Sequence, residues 1–294
     1  MMRIALFLAT NAAILVVISI VFSLFGLHGV LAENGVDLDL NALLLISTII
    51  GMSGSLISLA LSKFMAKKSM GVAIIENPKS QTERWLVETI QRQANEAGIG
   101  MPEVGIFNSP QPNAFATGMN KNSALVAVST GLLDSMKQNE VEAVLGHEIS
   151  HVANGDMITL SLVQGVVNTF VFFLSSIIGH IVDRVVFKTE RGHGPAYYVT
   201  QIIMQIFLSI LASMIVMWFS RWREFHADTG GANLSSRENM IGALRALQRV
   251  NEPKDLPGEF AAFGISGGLS SGIKKLFMSH PPLEQRIAAL QNQK

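Results

Sequence analysis

The chain has 294 residues, no net formal charge and no cysteine. Apolar residues make up 49% and charged residues only 15%, against roughly 25% charged in an ordinary soluble domain, and the mean hydropathy is positive. This composition excludes disulfides, a thiol nucleophile and a cysteine-held metal, gives no sign of a nucleic-acid partner, and points to a membrane protein.

Four apolar stretches reach the roughly 20 residues that a bilayer-spanning helix needs. They run about Ile4–Leu27, Leu40–Leu61, Ile158–Ile181 and Tyr198–Phe219. The sequence Val30-Leu31-Ala32 after the first stretch resembles a signal-peptide cleavage site, but the apolar run is too long for a signal core, so an uncleaved anchor is expected. The second stretch carries Gly51 with Ser55 and Gly54 with Ser58 at four-residue spacing, a pattern that lets helices approach closely. Lys63, Lys67 and Lys68 follow it, Arg221 and Arg223 follow the fourth, and the loop Leu27–Asp39 has no basic residue. That bias expects the termini and the region from Ser62 to Met157 on the cytoplasmic side. The connection "DRVVFKTERGHGPAY", with Arg184, Lys188 and Arg191, argues the other way.

The chain thus divides into a hairpin over 1–61, a polar region over 62–157, a second hairpin over 158–219 and a polar region over 220–294. In the first polar region Ser80 and Glu83 form a capping box. It opens a helix carrying Trp85, Leu86, Ile90 and Ala94, stopped by Gly98. The segments "EVGIF", "NAFATG" and "SALVAVS" read as strands, the last two joined by the turn "GMNKN". Asn139 with Glu142 and Ser235 with Glu238 suggest two further helix starts. Asn251–Lys275, rich in Gly, Ser and Pro, reads as a loop, and Pro281 and Pro282 lead a short final helix. The expected fold is an α+β membrane protein with four transmembrane helices and a mainly helical cytoplasmic domain. Within that domain a small antiparallel sheet lies beside the helix that carries "GHEISHVANGD".

In that segment His147 and His151 stand four residues apart, on one face of a helix. Both imidazoles can meet one tetrahedral zinc, and Glu148 can take a proton from a water the zinc activates. A third ligand is required. A histidine six residues after His151 would complete one version of the motif, but Asn154 and Met157 hold the two positions it needs. The other version uses a glutamate on a second helix, and Glu224 in "SRWREFHADTGG" is the candidate. Its 73-residue distance from His151 is mostly the second hairpin, which would return the chain to the side it left. Asp228, one turn on from Glu224, could hold the second nitrogen of a zinc-bound histidine. His226 points elsewhere on that helix. His280 could donate to the oxyanion formed during peptide hydrolysis, and Asn113 heads a strand that could bind peptide by strand addition. Bland alternatives stand beside these readings: interfacial charge for Glu224 and Asp228, a surface histidine for His280, an ordinary hairpin strand for Asn113. Asp156 reads as a helix-end residue, and His28, His180 and His193 receive no role.

Taken together, "GHEISHVANGD", "REFHADTGGA", "NAFATG" and "SHPPLEQRI" around four spans resemble the HtpX family of heat-shock membrane metalloproteases, over essentially the whole chain. The resemblance implies a gluzincin-type endopeptidase of the bacterial inner membrane, related to CAAX prenyl endopeptidases, with a cytoplasmic active site. It implies one zinc ion held by His147, His151 and Glu224, with Glu148 as the catalytic residue. It also implies misfolded membrane proteins as polypeptide substrates, in quality control that overlaps with the FtsH protease. No nucleotide-binding motif is present, so hydrolysis without ATP is expected, on exposed cytoplasmic segments. A CAAX-type processing protease and a non-catalytic scaffold with a retained metal site are the alternatives, though no base or ligand is missing. An intramembrane site disagrees with Glu140, Glu142 and Asp156 flanking the motif. A transporter disagrees with spans nearly free of ionisable side chains.

Overall fold

Asp39 starts the first described helix by accepting from the backbone N–H groups of Asn41 and Ala42 at 2.9 and 3.0 Å, a side-chain cap on otherwise unpaired donors. The computed structural model describes residues 38–190, 192–251 and 280–292. The first apolar stretch, its cleavage-site question, His28 and most of the Gly/Ser/Pro-rich segment lie outside these. The elements are α1 (Leu40–Met70), β1 (Ala73–Ile74), α2 (Gln81–Glu96), β2 (Glu103–Phe107), β3 (Ala114–Thr117), β4 (Leu125–Ser129) and α3 (Thr130–Ser135). They continue with α4 (Gln138–Asn154), α5 (Asp156–Ile181, prolonged by a π-helical turn Val182–Val186), α6 (Pro195–Leu234), α7 (Arg237–Asn251) and α8 (Leu283–Asn292).

Three described helices are long and apolar enough to cross a membrane: Leu40–Met70, Asp156–Val186 and Pro195–Leu234. They correspond to the second, third and fourth apolar stretches but outrun them at their polar ends. Good helix formers such as Lys67, Lys68 and Arg223 prolong the helix after hydrophobicity has stopped. The chain divides into two compact units, Met1–Ile57 with Ser161–Val216 and Ser58–Leu160 with Met217–Lys294.

Within the first unit α1 and α5 meet through small residues. A Cβ on Gly51 would lie 2.5 Å from the Thr169 backbone nitrogen, and one on Gly165 would lie 2.6 Å from Ser55 Oγ. The Gly51/Ser55 pair is therefore the contact face, whereas Gly54 has nothing within 4 Å. In the α5–α6 connection the buried Asp183 accepts from Thr189 Oγ1 and the Gly194 N–H, each at 3.0 Å. Arg184 donates to the carbonyls of Thr189 and Gly192. At least one of the basic residues in this connection is thus spent on holding its own loop.

In the second unit the strands form one sheet in the order β1-β2-β4-β3. The sheet is mixed, not antiparallel as expected: β2 and β4 run parallel with Glu103 opposite Leu125, while β1–β2 and β3–β4 are antiparallel. The reason lies in burial. Every residue of β4 is buried, so it takes a central position, and its hairpin partner β3 is left at the edge. Leu86, Ile90, Val126, Val141, Leu145, Ile149, Leu244 and Leu290 form the core beneath it.

Helix ends repeat the comparison. Ser80 and Glu83 cap α2 reciprocally, and Gly98 beyond it takes φ +65. The start of α4 is two residues earlier than expected: the Lys137 N–H donates to Glu140 at 2.9 Å. Asn139 instead donates across to Asn239, and Glu142 pairs with Arg92. At α7 the cap is Ser236, which accepts from the Asn239 N–H at 3.0 Å, while Ser235 donates back to the Gly231 carbonyl. Gly155, at φ +69, ends α4 and lets α5 begin at the next residue.

Candidate metal centre

Helix α4 places His147 and His151 one turn apart with their Nε2 atoms 3.2 Å from each other. Glu224 reaches them from α6, its oxygens 3.5 Å from His147 Nε2 and 3.4 Å from His151 Nε2. One ligand atom from each of the three residues lies within 4.8 Å of the other two. A close helix crossing makes this possible. A Cβ on Gly230 would sit 2.0 Å from Ser150 Oγ, and one on Gly231 would sit 2.9 Å from the His147 backbone nitrogen. The pair "GG" removes the side chains that would keep the Glu224 helix from the histidine helix.

The outer ring nitrogens are held symmetrically. His147 Nδ1 lies 3.0 Å from Asp228 Oδ1, and His151 Nδ1 lies 2.7 Å from Asp156 Oδ2. Each carboxylate is backed by a guanidinium: Arg286 Nε donates to Asp228 at 2.8 Å, and Arg223 Nε donates to Asp156 at 2.6 Å. With Nδ1–H given to a carboxylate, Nε2 of each imidazole is left facing the centre, the tautomer a metal needs. Arg286 also lies 3.2 Å from Glu224.

The electrostatics favour a cation. Burial disfavours charge on His151, but Asp156 and Glu224 outweigh it and lift its pKa to about 10. Burial likewise disfavours charge on Glu224, yet His147, His151 and His280 hold its carboxyl well below the usual range. Glu224 Oε2 is buried and makes no aligned hydrogen bond, although His280 Nδ1 stands only 2.7 Å away. Four carboxylates, those of Glu148, Asp156, Glu224 and Asp228, face two guanidiniums, those of Arg223 and Arg286. With neutral imidazoles, 4 − 2 leaves two negative charges, and a divalent cation balances them. The donor set, two nitrogens and a carboxylate with supported outer nitrogens, fits zinc.

The sequence-named residues fall as follows. His147, His151, Glu224 and Asp228 converge, with Asp228 on a histidine as expected. Glu148 is partly exposed on α4, and its charge acts on His151 and on Arg286. His280 joins the cluster, and its side chain is 59% exposed, so it remains open to an incoming molecule. Asn113 heads the edge strand, where its N–H donates to Ser129 Oγ at 2.9 Å and its carbonyl accepts from the Ser129 N–H at 2.8 Å. It is Ala116, three residues on, that lies beside His151 and Glu224. His226 stays outside the cluster and meets Trp222 edge to face. His180 and His193 stack on each other and on Tyr197 in the other unit.

Sequence reasoning missed Asp156, Arg223 and Arg286. Arg286 had one available signal: it shares the α8 stripe of Leu283, Ile287 and Leu290, where a charge is out of place unless paired. Asp156 is more than a helix-end residue, because the Gly155 turn folds it back onto His151. Asp156→Asn keeps the shape and removes the charge. It is expected to weaken metal binding by about ten- to hundredfold, read by competition with a fluorescent zinc chelator. Unchanged affinity would remove Asp156 from the centre.

A model of peptidase family M48 matches residues 80–294. Among curated proteins, Protease HtpX of Thioalkalivibrio sulfidiphilus is 66% identical over 290 residues, 99% of this chain and 98% of that one. Protease HtpX of Pseudoalteromonas atlantica is 65% identical over 291 residues, 99% of each. Among solved structures, S. mikatae Ste24p aligns with a TM-score of 0.61 at 17% identity, over 95% of this chain and 67% of that one. At that identity the likeness concerns the fold.

Proposed function

The chain belongs to peptidase family M48, and from that premise we propose a zinc endopeptidase that cuts cytoplasmic segments of misfolded membrane proteins. That it is an integral-membrane metalloprotease acting on polypeptides follows from the family and the apolar helices. The metal's identity, the residue roles, the substrates and the bacterial inner membrane as its location are the proposal. So is a catalytic domain assembled from 62–157 and 220–294 on the cytoplasmic side. The carrying observation is the convergence of His147, His151 and Glu224, with each histidine backed by its own carboxylate–guanidinium pair.

His147, His151 and Glu224 would hold the zinc, which when bound lowers the pKa of a water and polarises a carbonyl. Glu148, next to the ligand His147 and partly exposed, takes the proton of the attacking water and passes it to the leaving amine. His280, exposed and beside Glu224, donates to the oxyanion. The edge strand β3, pinned at Asn113, offers free backbone groups to an extended substrate, which suits unfolded chains. Asp156 and Asp228 keep the two imidazoles in register.

The test is metal analysis and cleavage of an unfolded protein by the full chain in detergent. About one zinc per chain, loss of cleavage on chelation and recovery on adding zinc are expected. Full cleavage by metal-stripped protein would overturn the reading.

A further inference from the structure

Next to the centre lies a hollow of about 150 Å³ between the edge strand, the start of α5 and the Glu224 turn of α6. Its walls away from the ligands are Ala116, Met157 and Leu160, with Ser220 and the Asp156–Arg223 pair as the polar part. We infer that this hollow is the subsite that reads the substrate: it takes one uncharged apolar side chain, of the size of Leu, Met or Phe, next to the scissile bond. The inference rests on the endopeptidase reading given above.

Size, charge and position each support it. A cavity of about 150 Å³ holds a benzene ring in an apolar protein interior, so a phenyl or branched aliphatic group fits and an indole does not. Among the described residues that line it Arg223 is the one Lys or Arg, and both its Nε and Nη2 are engaged with Asp156 Oδ1. The other oxygen of Asp156 holds His151. Asp156 and Arg223 therefore compensate each other, and an acidic or basic substrate group would lose its hydration and find a hydroxyl, that of Ser220, but no free opposite charge. Ala116, Met157 and Leu160 are apolar, and Met157 supplies the adaptable surface. Position follows from strand geometry. A substrate strand paired along β3 turns alternate side chains to the same face, and Ala116, the smallest chiral side chain, leaves that face open beside His151.

The experiment is a cleavage-site profile of a proteome-derived peptide library with the full chain in detergent, zinc-loaded. Wild type is compared with Ala116→Leu, which fills the hollow, and Met157→Ala, which enlarges it. Wild type should favour Leu, Met or Phe over Asp, Glu or Lys by about tenfold or more at one position flanking the cut. Ala116→Leu should cut Phe sites about tenfold more slowly while sparing Ala sites, and Met157→Ala should admit Trp about tenfold better. Zinc content and the Ala sites report whether each variant is folded. An unchanged profile in both variants, or an acidic preference in wild type, overturns the subsite. If both variants lose zinc, the wild-type profile decides, and a flat profile there also overturns it. Failure of the broader reading looks different: wild type then cuts nothing, or Glu148→Gln cuts as well as wild type.

Discussion

Glu148→Gln is expected to bind zinc like the unaltered protein and to cleave an unfolded polypeptide at least about a hundredfold more slowly. The side chain is partly exposed on α4, one residue from His147, and is not among the three converging donors. Glutamine matches its shape, so the packing of α4 and the His147–His151 pair are kept. It cannot accept a proton at neutral pH, so water activation and amine protonation both lose their carrier. General acid–base groups contribute about 10²–10⁴ in rate, which sets the expected loss. Metal analysis and timed cleavage on the same preparation check it. A variant that keeps zinc and full activity would show that "HEISH" is not the reaction centre.

Glu224→Ala is expected to lose the metal itself. Outer partners of a zinc site cost ten- to hundredfold in affinity when altered. Removing one of three protein ligands should therefore cost more than about a hundredfold. The change also leaves two histidines without the carboxylate that faces both of them, and Arg286 without one of its two acidic neighbours. Purified Glu224→Ala should carry no stoichiometric zinc and show no cleavage, while circular dichroism still reports helix. Retention of one tightly bound zinc would mean that the third ligand is another residue, with His280, 2.7 Å from Glu224, the first to examine.

How much of this was legible follows from the range over which each signal acts. The two histidines and the glutamate between them are fixed by helix periodicity over five residues, so sequence alone places them. Glu224 was legible because the apolar stretches explain the long gap. Strands β2, β3 and β4 fall within the segments read for them, but the sheet's order turns on β4 being central. Its unbroken "LVAV" carried that signal, while the hairpin next to it suggested simple antiparallel pairing. The cap at Ser80 was found because both partners are local. At α4 the local pattern misled, because Asn139 is claimed by Asn239, a hundred residues away. The two carboxylate–guanidinium pairs that steady the histidines join residues 58 and 67 positions apart. No periodicity connects such residues, and only the folded chain does.

Arg286 also has a temporal consequence. It enters the polypeptide after His147, His151, Glu224 and Asp228, on the last described helix. A protein is synthesised from its N-terminus, and its parts fold as they emerge. For an interval, then, the growing chain holds every donor of the centre but lacks the guanidinium that offsets Glu224 and Asp228. Until α8 docks, Glu224 and Asp228 have the histidines as partners but not the guanidinium that faces both of them. In the order of synthesis the centre is thus completed last, by a helix made after every described membrane-crossing helix.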